Sequence, residues 1–369
     1  MTRVLAVRLD SDGDVLLTGP AIRALSASAD RLDLLVSPSG RAAAELLPGV
    51  DHLLVFDVPW SGFRPSPVDP VAVNALVEEM RGGHYDLAVI FTSFHQSPLP
   101  MALLARMAGI GRIVADSEDY PGSLLDVRHR RQEVHEVDAA LQLAVAAGAE
   151  PIGNSPLRVD IPATTANPAG TKGYVVLHPG ASVPARGLLP AHAHRIAAEL
   201  VAQGRRLVIT GGPQEVELAG AASVPGAIDL AGRTTLAELA AVLRDASCIV
   251  TGNTGPAHLA AAVGTPVVSL FSPVVPARRW APYGVPVVLL GDQDAPCKDS
   301  RARECPVPGH PCLSAVSAAE VARAVSRFAG PIEPTVVPGD RSSVMGTDAE
   351  HLDLARPRLV DDVVRPGRA

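Results

Sequence analysis

The chain has 369 residues, 47% of them hydrophobic but only 3% aromatic, and a formal net charge of −7. That length exceeds one core of usual size and points to two domains of about 150 residues each. The acidic balance leaves no basic footprint for nucleic acid, and two Trp and four Tyr are too few to build stacking platforms for bases.

In chain order, short Val, Ile and Leu runs predict strands near 3–9, 32–37, 53–56, 86–91 and 112–115, then near 174–178, 206–210, 248–251, 266–271 and 286–290. Ala-rich stretches with helical spacing alternate with them, the pattern of parallel sheets covered on both faces, an α/β fold in two similar halves facing a cleft. Between the halves, residues 151–173 collect Pro, Gly, Thr and Asn. The expected division is therefore a first domain at 1–155, a linker at 156–173 and a second domain at 174–330. Residues 331–369 turn to Pro, Gly, Ser, Asp and Arg and read as a disordered tail. The N-terminus enters a strand directly, without the basic and apolar regions of a secretory signal, and no apolar run approaches the ~18 to 20 residues that span a bilayer. A cytoplasmic protein is expected, with peripheral contact at the inner face of the plasma membrane left open and the oligomeric state unread.

The first strand breaks at LDSDGD, which sets Asp10, Asp12 and Asp14 at a strand end just before a helix. Ligands of open α/β sheets bind outside the carboxyl ends of strands, so these carboxylates are better placed for chemistry than for packing. The loop is too acidic to cradle phosphate alone; a proton donor or a metal suits it better.

Three turns in the second half suit a nucleotide. GNTGPAH, from Gly252 to His258, is a glycine-bearing turn at a helix start, where backbone N–H groups face a diphosphate. HPGAS, residues 178–182, offers the Ser182 hydroxyl, with the Arg186 guanidinium four residues on. In TGGPQE, Gly211 and Gly212 end another strand, with Glu215 close behind.

With GDVLLTGPAIRAL, HPGAS followed by Arg186, TGGPQE, GRTTLAELAAVL, GNTGPAHLAAAVGTPVV and ECPVPGHPCL in this order, the chain over residues 1–328 resembles glycosyltransferase family nine, the ADP-heptose heptosyltransferases. The resemblance implies the GT-B arrangement of two Rossmann-like domains and an inverting, metal-independent transfer of a sugar from an ADP-sugar to a glycan or glycolipid hydroxyl, without a cofactor. Carried onto matching positions, it makes Asp14 the general base and puts Arg8 on the acceptor side, where Asp12 and His95 join it. Ser182, Arg186, Gly211, Gly212, Thr234, Asn253, Thr254, Gly255, Ala257 and His258 would hold the donor. The chain departs from the family in having Asn253 for the usual Asp, Arg186 for Lys, and Leu188 and Leu189 where Trp and Pro are common. Those changes keep phosphate binding and bear on donor identity.

Two other readings compete. LDSDG also resembles the first motif of haloacid-dehalogenase phosphatases, with Asp10 as nucleophile, Asp12 as acid/base, magnesium between them, Thr210 at a strand end and VVLLGDQD as the later acidic motif. Both lysines, Lys172 and Lys298, fall outside residues 210–291, where that mechanism needs one. A sugar-nucleotide-binding protein without turnover is the other, motivated by Asn253. Cys297, Cys305 and Cys312 lack CxxC pairing, so a structural thiol cluster is expected in preference to a metal site completed by His310. His192 and His194 are expected to face solvent.

Overall fold

The computed structural model describes residues 2–330, apart from 61–64, 94, 152 and 154. Its elements run β1 (Arg3–Arg8), α1 (Asp12–Ala27), β2 (Arg31–Val36), α2 (Arg41–Ala44), β3 (His52–Val55), α3 (Pro70–Gly83), β4 (Leu87–Phe91), α4 (Leu99–Met107), β5 (Arg112–Asp116), β6 (Val127–His129) and α5 (Glu136–Ala147). The second half runs β7 (Val175–His178), α6 (Pro190–Ala202), β8 (Leu207–Ile209), α7 (Val216–Ala222), β9 (Ile228–Asp229), α8 (Leu236–Arg244), β10 (Cys248–Gly252), α9 (Gly255–Ala262), β11 (Val267–Leu270), α10 (Ala277–Trp280), β12 (Val287–Leu290), α11 (Pro311–Ser314) and α12 (Ala318–Ala329). The expected tail lies outside the described residues. Among those described, no helix is long and apolar enough to cross a membrane.

Each half forms a six-stranded parallel sheet, in the orders β3-β2-β1-β4-β5-β6 and β12-β11-β10-β7-β8-β9. Both are the doubly wound order, which reverses direction between β1 and β4 and again between β7 and β10 and opens a crevice at each reversal. The two-sheet α/β arrangement is as expected. The short edge strands β6 and β9 were not foreseen, because VRH and ID carry no apolar run.

Local chemistry sets the helix ends. Thr235 with Glu238 and Ser317 with Glu320 form reciprocal capping boxes on α8 and α12, and the Asp69 carboxylate accepts from the Val71 amide at the start of α3. The apolar faces of α1, α5, α8 and α9 join residues of both sheets in one continuous core. The other faces are covered separately, by α3 and α4 on the first sheet and by α6, α7 and α12 on the second. Among its described residues the segment between the halves has no regular structure but is tied to the first lobe. Arg23 donates to Ser155 Oγ at 2.7 Å and to the Pro156 carbonyl at 2.6 Å, and the Asp160 amide donates to the Leu46 carbonyl at 2.8 Å.

Candidate active site

The two crevices meet where the N-terminus of α1 approaches that of α9. Glycine makes the approach possible: a Cβ on Gly13 would come within 3.2 Å of Gly255 Cα and 3.4 Å of the His258 ring. Two helix N-termini thereby converge, each with unsatisfied N–H groups and a positive dipole end.

Arg8, the last residue of β1 and only 4% exposed, organises the carboxylates that follow it. Its Nη2 donates to Asp14 Oδ1 at 3.1 Å and to Ser93 Oγ at 3.1 Å, while Nε lies 3.0 Å from Asp10 Oδ2. Burial works against the Arg8 charge, yet Asp10 and Asp14 outweigh it and hold its pKa above the ordinary guanidinium value. Asp10 is also fixed by Gln96, whose Nε2 donates to Oδ1 at 2.6 Å. Burial raises the Asp10 pKa, and the neighbouring Asp14 charge adds to that effect.

The three carboxylates are therefore not equivalent. Asp12 turns away from the other two and accepts the Ala43 amide at 2.9 Å, tying α1 to α2. Asp14, in the first turn of α1, has Oδ2 on the Ser11 hydroxyl at 3.1 Å and keeps 24% of its side chain exposed. It is the carboxylate of the three that is held by Arg8 and still partly exposed beside the Gly13–Gly255 approach.

On the facing lobe, Arg186 and His258 lie within electrostatic reach of Asp14. Burial lowers the Arg186 pKa from its ordinary value, and its Nε is buried without a partner. His258 is 6% exposed, its Nδ1 is also buried without a partner, and burial followed by the proximity of His135 pushes its pKa down to about 4. His258, in the first turn of α9, and Arg186, in the turn after β7, each keep a buried nitrogen without a hydrogen-bond partner, a pairing able to meet an anion. Thr254 is the N-cap of α9, with no side-chain capping bond, and Ala257 is buried in its first turn. Ser182 is exposed after β7, and Thr234 is half-buried in the loop before α8. Gly212 donates its amide to Glu215 Oε2 at 2.7 Å, and the Glu215 carboxylate, 3.3 Å from His178 Nε2, fills the space that a Cβ on Gly180 would need.

The low His258 pKa has a testable sign. The unfolded imidazole titrates near 6.5, so its contribution to stability is complete above pH 6.5 and is lost as pH falls toward about 4. Between pH 7 and pH 4.5 the wild type should lose about 2 kcal/mol more unfolding free energy than His258→Gln, measured by urea titration at both values. Parallel losses in the two proteins would contradict the depressed pKa.

Asn253, 6% exposed, bonds the end of the adjacent strand. Its Nδ2 donates to the Ser272 carbonyl at 3.2 Å and its Oδ1 accepts the Ser272 amide at 3.1 Å, stapling the ends of β10 and β11. Aspartate has no hydrogen to give that carbonyl and would set a charge against it. Asn253→Asp should therefore cost about 2 kcal/mol in thermal unfolding experiments, and an unchanged melting temperature would contradict the staple.

His192 corrects an expectation. It is 2% exposed, with Nε2 at 2.8 Å from the Val316 carbonyl, because it falls on the face of α6 that packs beneath the second sheet. His194, two residues on, is exposed. Cys297 and Cys312 are buried and Cys305 half-buried; burial, with the other two thiols beside it, pushes the Cys312 thiol up to about 11. His310 turns to the Ala185 backbone, and no group of three or more His, Cys, Asp or Glu placed to hold a metal ion occurs among the described residues. The acidic motifs that resemble a phosphatase lie on different sheets, Asp10 after β1 and Asp294 after β12, where Asp294 pairs with Lys298 Nζ at 2.7 Å. His95 lies in the loop after β4, where partial desolvation and then the Arg301 charge lower its pKa.

A buried ionic cluster behind Arg8 had no signal in the sequence. Glu136, 3% exposed in the first turn of α5, receives Arg131 Nη2 at 2.5 Å and faces Arg279 Nη1 of α10 at 3.8 Å. Arg131 Nη1 donates to the Thr92 carbonyl at 2.8 Å, beside the Ser93 that binds Arg8. Arg279 also pairs with Glu133, Tyr283 Oη donates to Asp138 Oδ1 at 2.8 Å, and His135 Nε2 meets the Ala281 carbonyl at 2.9 Å. These contacts latch the lobes together within reach of the site.

Comparison with known proteins gives the same frame. The model of glycosyltransferase family 9 (heptosyltransferase) matches residues 73–310, more than half of the chain. Lipopolysaccharide heptosyltransferase 3 of Escherichia coli is 31% identical over 164 residues, covering 42% of this chain and 46% of that protein, so the chain spans about half the length of this curated relative. Among solved structures, a glycosyltransferase family 9 protein from Veillonella parvula superposes with a TM-score of 0.73 at 19% identity, covering 89% of this chain and 97% of that one. The ADP-heptose lps heptosyltransferase II of E. coli gives 0.70 at 20% identity, covering 89% and 98%. At such identities these structures speak for the fold, two facing Rossmann-like sheets.

Proposed function

The chain belongs to glycosyltransferase family 9, the heptosyltransferase family, and from that premise we propose that it moves a heptose or related sugar from an ADP-sugar to a hydroxyl of a glycan or glycolipid acceptor, with inversion and without a metal. The observation that carries this reading is the convergence of the α1 and α9 N-termini, with an open carboxylate on one and unpartnered nitrogen donors at the other.

In the proposed reaction the acceptor hydroxyl loses its proton to Asp14 as its oxygen bonds to the anomeric carbon. The bond from that carbon to the diphosphate oxygen breaks, and the electron pair leaves with ADP. Arg186, His258 and the N–H groups at the start of α9 stabilise the charge that grows on the departing diphosphate, an interaction stronger in the transition state than before it. Arg8 balances the carboxylate pair and holds Asp14 toward the cleft. Thr234 and Glu215 border the nucleoside side, and the acceptor lies against the first lobe. Names of relatives extend the proposal to lipopolysaccharide or another cell-envelope glycan, made by a protein at the inner face of the membrane.

The phosphatase motifs are divided between sheets, which speaks against that reading, and Asn253 has a structural use in its bonds to Ser272. Thermal denaturation with a panel of nucleotide sugars, followed by transfer assays in EDTA, tests the proposal. At one fixed concentration ADP-sugars should stabilise the protein most, reaching about 2.7 kcal/mol where that concentration is 100 times their dissociation constant, and transfer should persist in EDTA. No stabilisation by any nucleotide sugar, or a strict magnesium requirement, would overturn it.

A further inference from the structure

The loop after β4 bears on the carboxylate cluster through Gln96. This side chain is half-buried, and its Oε1 accepts the Ser93 amide at 3.1 Å, which fixes the orientation of the carboxamide. Nε2 is then the atom turned to Asp10, and it donates to Oδ1 at 2.6 Å. Arg8 Nε meets Oδ2 of the same carboxylate at 3.0 Å as an ion pair, outside hydrogen-bond geometry. A proton on Oδ1 would face the Gln96 NH2 group, which accepts no hydrogen bond, and a proton on Oδ2 would face the Arg8 N–H. Ser93, at the other end of the Gln96 contact, accepts from Arg8 Nη2 through its hydroxyl at 3.1 Å, so this one loop touches both charges of the pair.

We propose that Gln96 is a positioning residue for sugar transfer, acting through Asp10: its amide keeps the Asp10–Asp14 pair in the doubly charged state in which Arg8 is divided between two carboxylates. This rests on the glycosyl-transfer reading and adds a residue to the machinery around its base. Two carboxylates beside one guanidinium take up protons as a pair, and the first proton removes a charge that both partners feel. Burial draws Asp10 toward its protonated form; Arg8 opposes this, the Asp14 charge adds to it, and Gln96 and Arg131 oppose it again. Once Asp10 holds a proton, Arg8 turns its whole charge on Asp14 and makes it a weaker base for the acceptor hydroxyl. Glu136 lies behind Arg8, and His95, Arg186 and His258 lie within electrostatic reach of Asp14. Those groups are common to the wild type and to Gln96 variants, so they set where the pair titrates, while the amide of Gln96 sets how far a substitution there moves it.

Two variants test this. Gln96→Met keeps the length of the side chain without its donor, and Gln96→Glu keeps an oxygen for the Ser93 amide but sets a third carboxylate against Asp10. Proton uptake is read by NMR of isotope-labelled aspartate carboxyl groups in the full-length, ADP-saturated protein, with the Asp10 and Asp14 signals assigned through Asp10→Asn and Asp14→Asn. The first proton of the pair should enter about one pH unit higher in Gln96→Met than in the wild type, and at least as far up in Gln96→Glu, while the dissociation constant for ADP stays the same. The acid limb of ADP release from ADP-heptose, with water in place of the acceptor, should move up by the same interval. If the pair titrates alike in the wild type and Gln96→Met, or the rate falls by one factor at every pH, Gln96 is a structural loop contact; the proposal falls and the transfer reading stands. If neither ADP nor ADP-heptose binds the wild type, the transfer reading falls and takes the proposal with it.

Discussion

Asp14→Asn should lower the rate of sugar transfer by about a thousandfold while the dissociation constant for ADP changes by less than about threefold. The substitution is nearly isosteric, and its surroundings can accept it. The introduced carboxamide would keep its carbonyl oxygen toward Arg8 and turn its NH2 group to the Ser11 hydroxyl, which can accept as well as donate. The helix start, the Gly13–Gly255 approach and the donor cradle on the other lobe are untouched, so binding and folding persist. What disappears is the open carboxylate, leaving Asp10 as the nearest substitute. Asp10 cannot serve, because Arg8 Nε and Gln96 occupy its two oxygens. Single-turnover measurements with a saturating ADP-sugar separate the chemical step from binding, and retained turnover would remove Asp14 from the mechanism.

Glu136→Ala should lower unfolding free energy by about 3 kcal/mol, read by denaturant titration. Burial raises the Glu136 pKa, yet Arg131 and Arg8 oppose that rise and keep the carboxylate compensated. Removing it leaves Arg131 and Arg279, both almost enclosed, with unequal company: Arg279 keeps the exposed Glu133, while Arg131 keeps the Thr92 carbonyl and the charge of Asp116 beyond contact distance. An uncompensated buried guanidinium is what makes such deletions costly, far more than the net worth of the original pair. Glu136→Gln keeps the volume but removes the same charge, so it should cost most of that amount. A Gln variant that costs less than half as much as the Ala variant would mean that packing, and not charge, holds this part of the lobe interface.

The strands and turns were legible because each depends on neighbours in sequence. Val4 to Val7 and Ile249 to Val250 are buried on both faces of parallel sheets, and such strands must be continuous apolar runs. GNTGPAH was legible as a helix start, since glycine and proline act within a turn of themselves. The division of labour among Asp10, Asp12 and Asp14 was only partly legible. Their order along the chain says that they end a strand, but only the Ala43 amide draws Asp12 aside, and only Gln96, from the loop after β4, closes off Asp10.

Asn253 shows the opposite limit. Its place in a glycine-bearing turn says nothing of Ser272, at the end of the adjacent strand, which bonds both its Nδ2 and its Oδ1. His192 likewise alternates with Ala and His194 as a polar residue would, yet the turn of α6 puts it inward against Val316.

The sequence by itself determined the alternation of strand and helix, the acidic end of β1 and the glycine-bearing turns of the second half, because periodicity and turn chemistry are local. The tertiary structure decided which carboxylate stays open, where Asn253 spends its amide, and the pairing of Glu133 with Arg279, 146 residues apart. Those outcomes depend on which side chains two separately wound sheets bring within a few ångströms of each other, and no spacing along one chain segment encodes that distance.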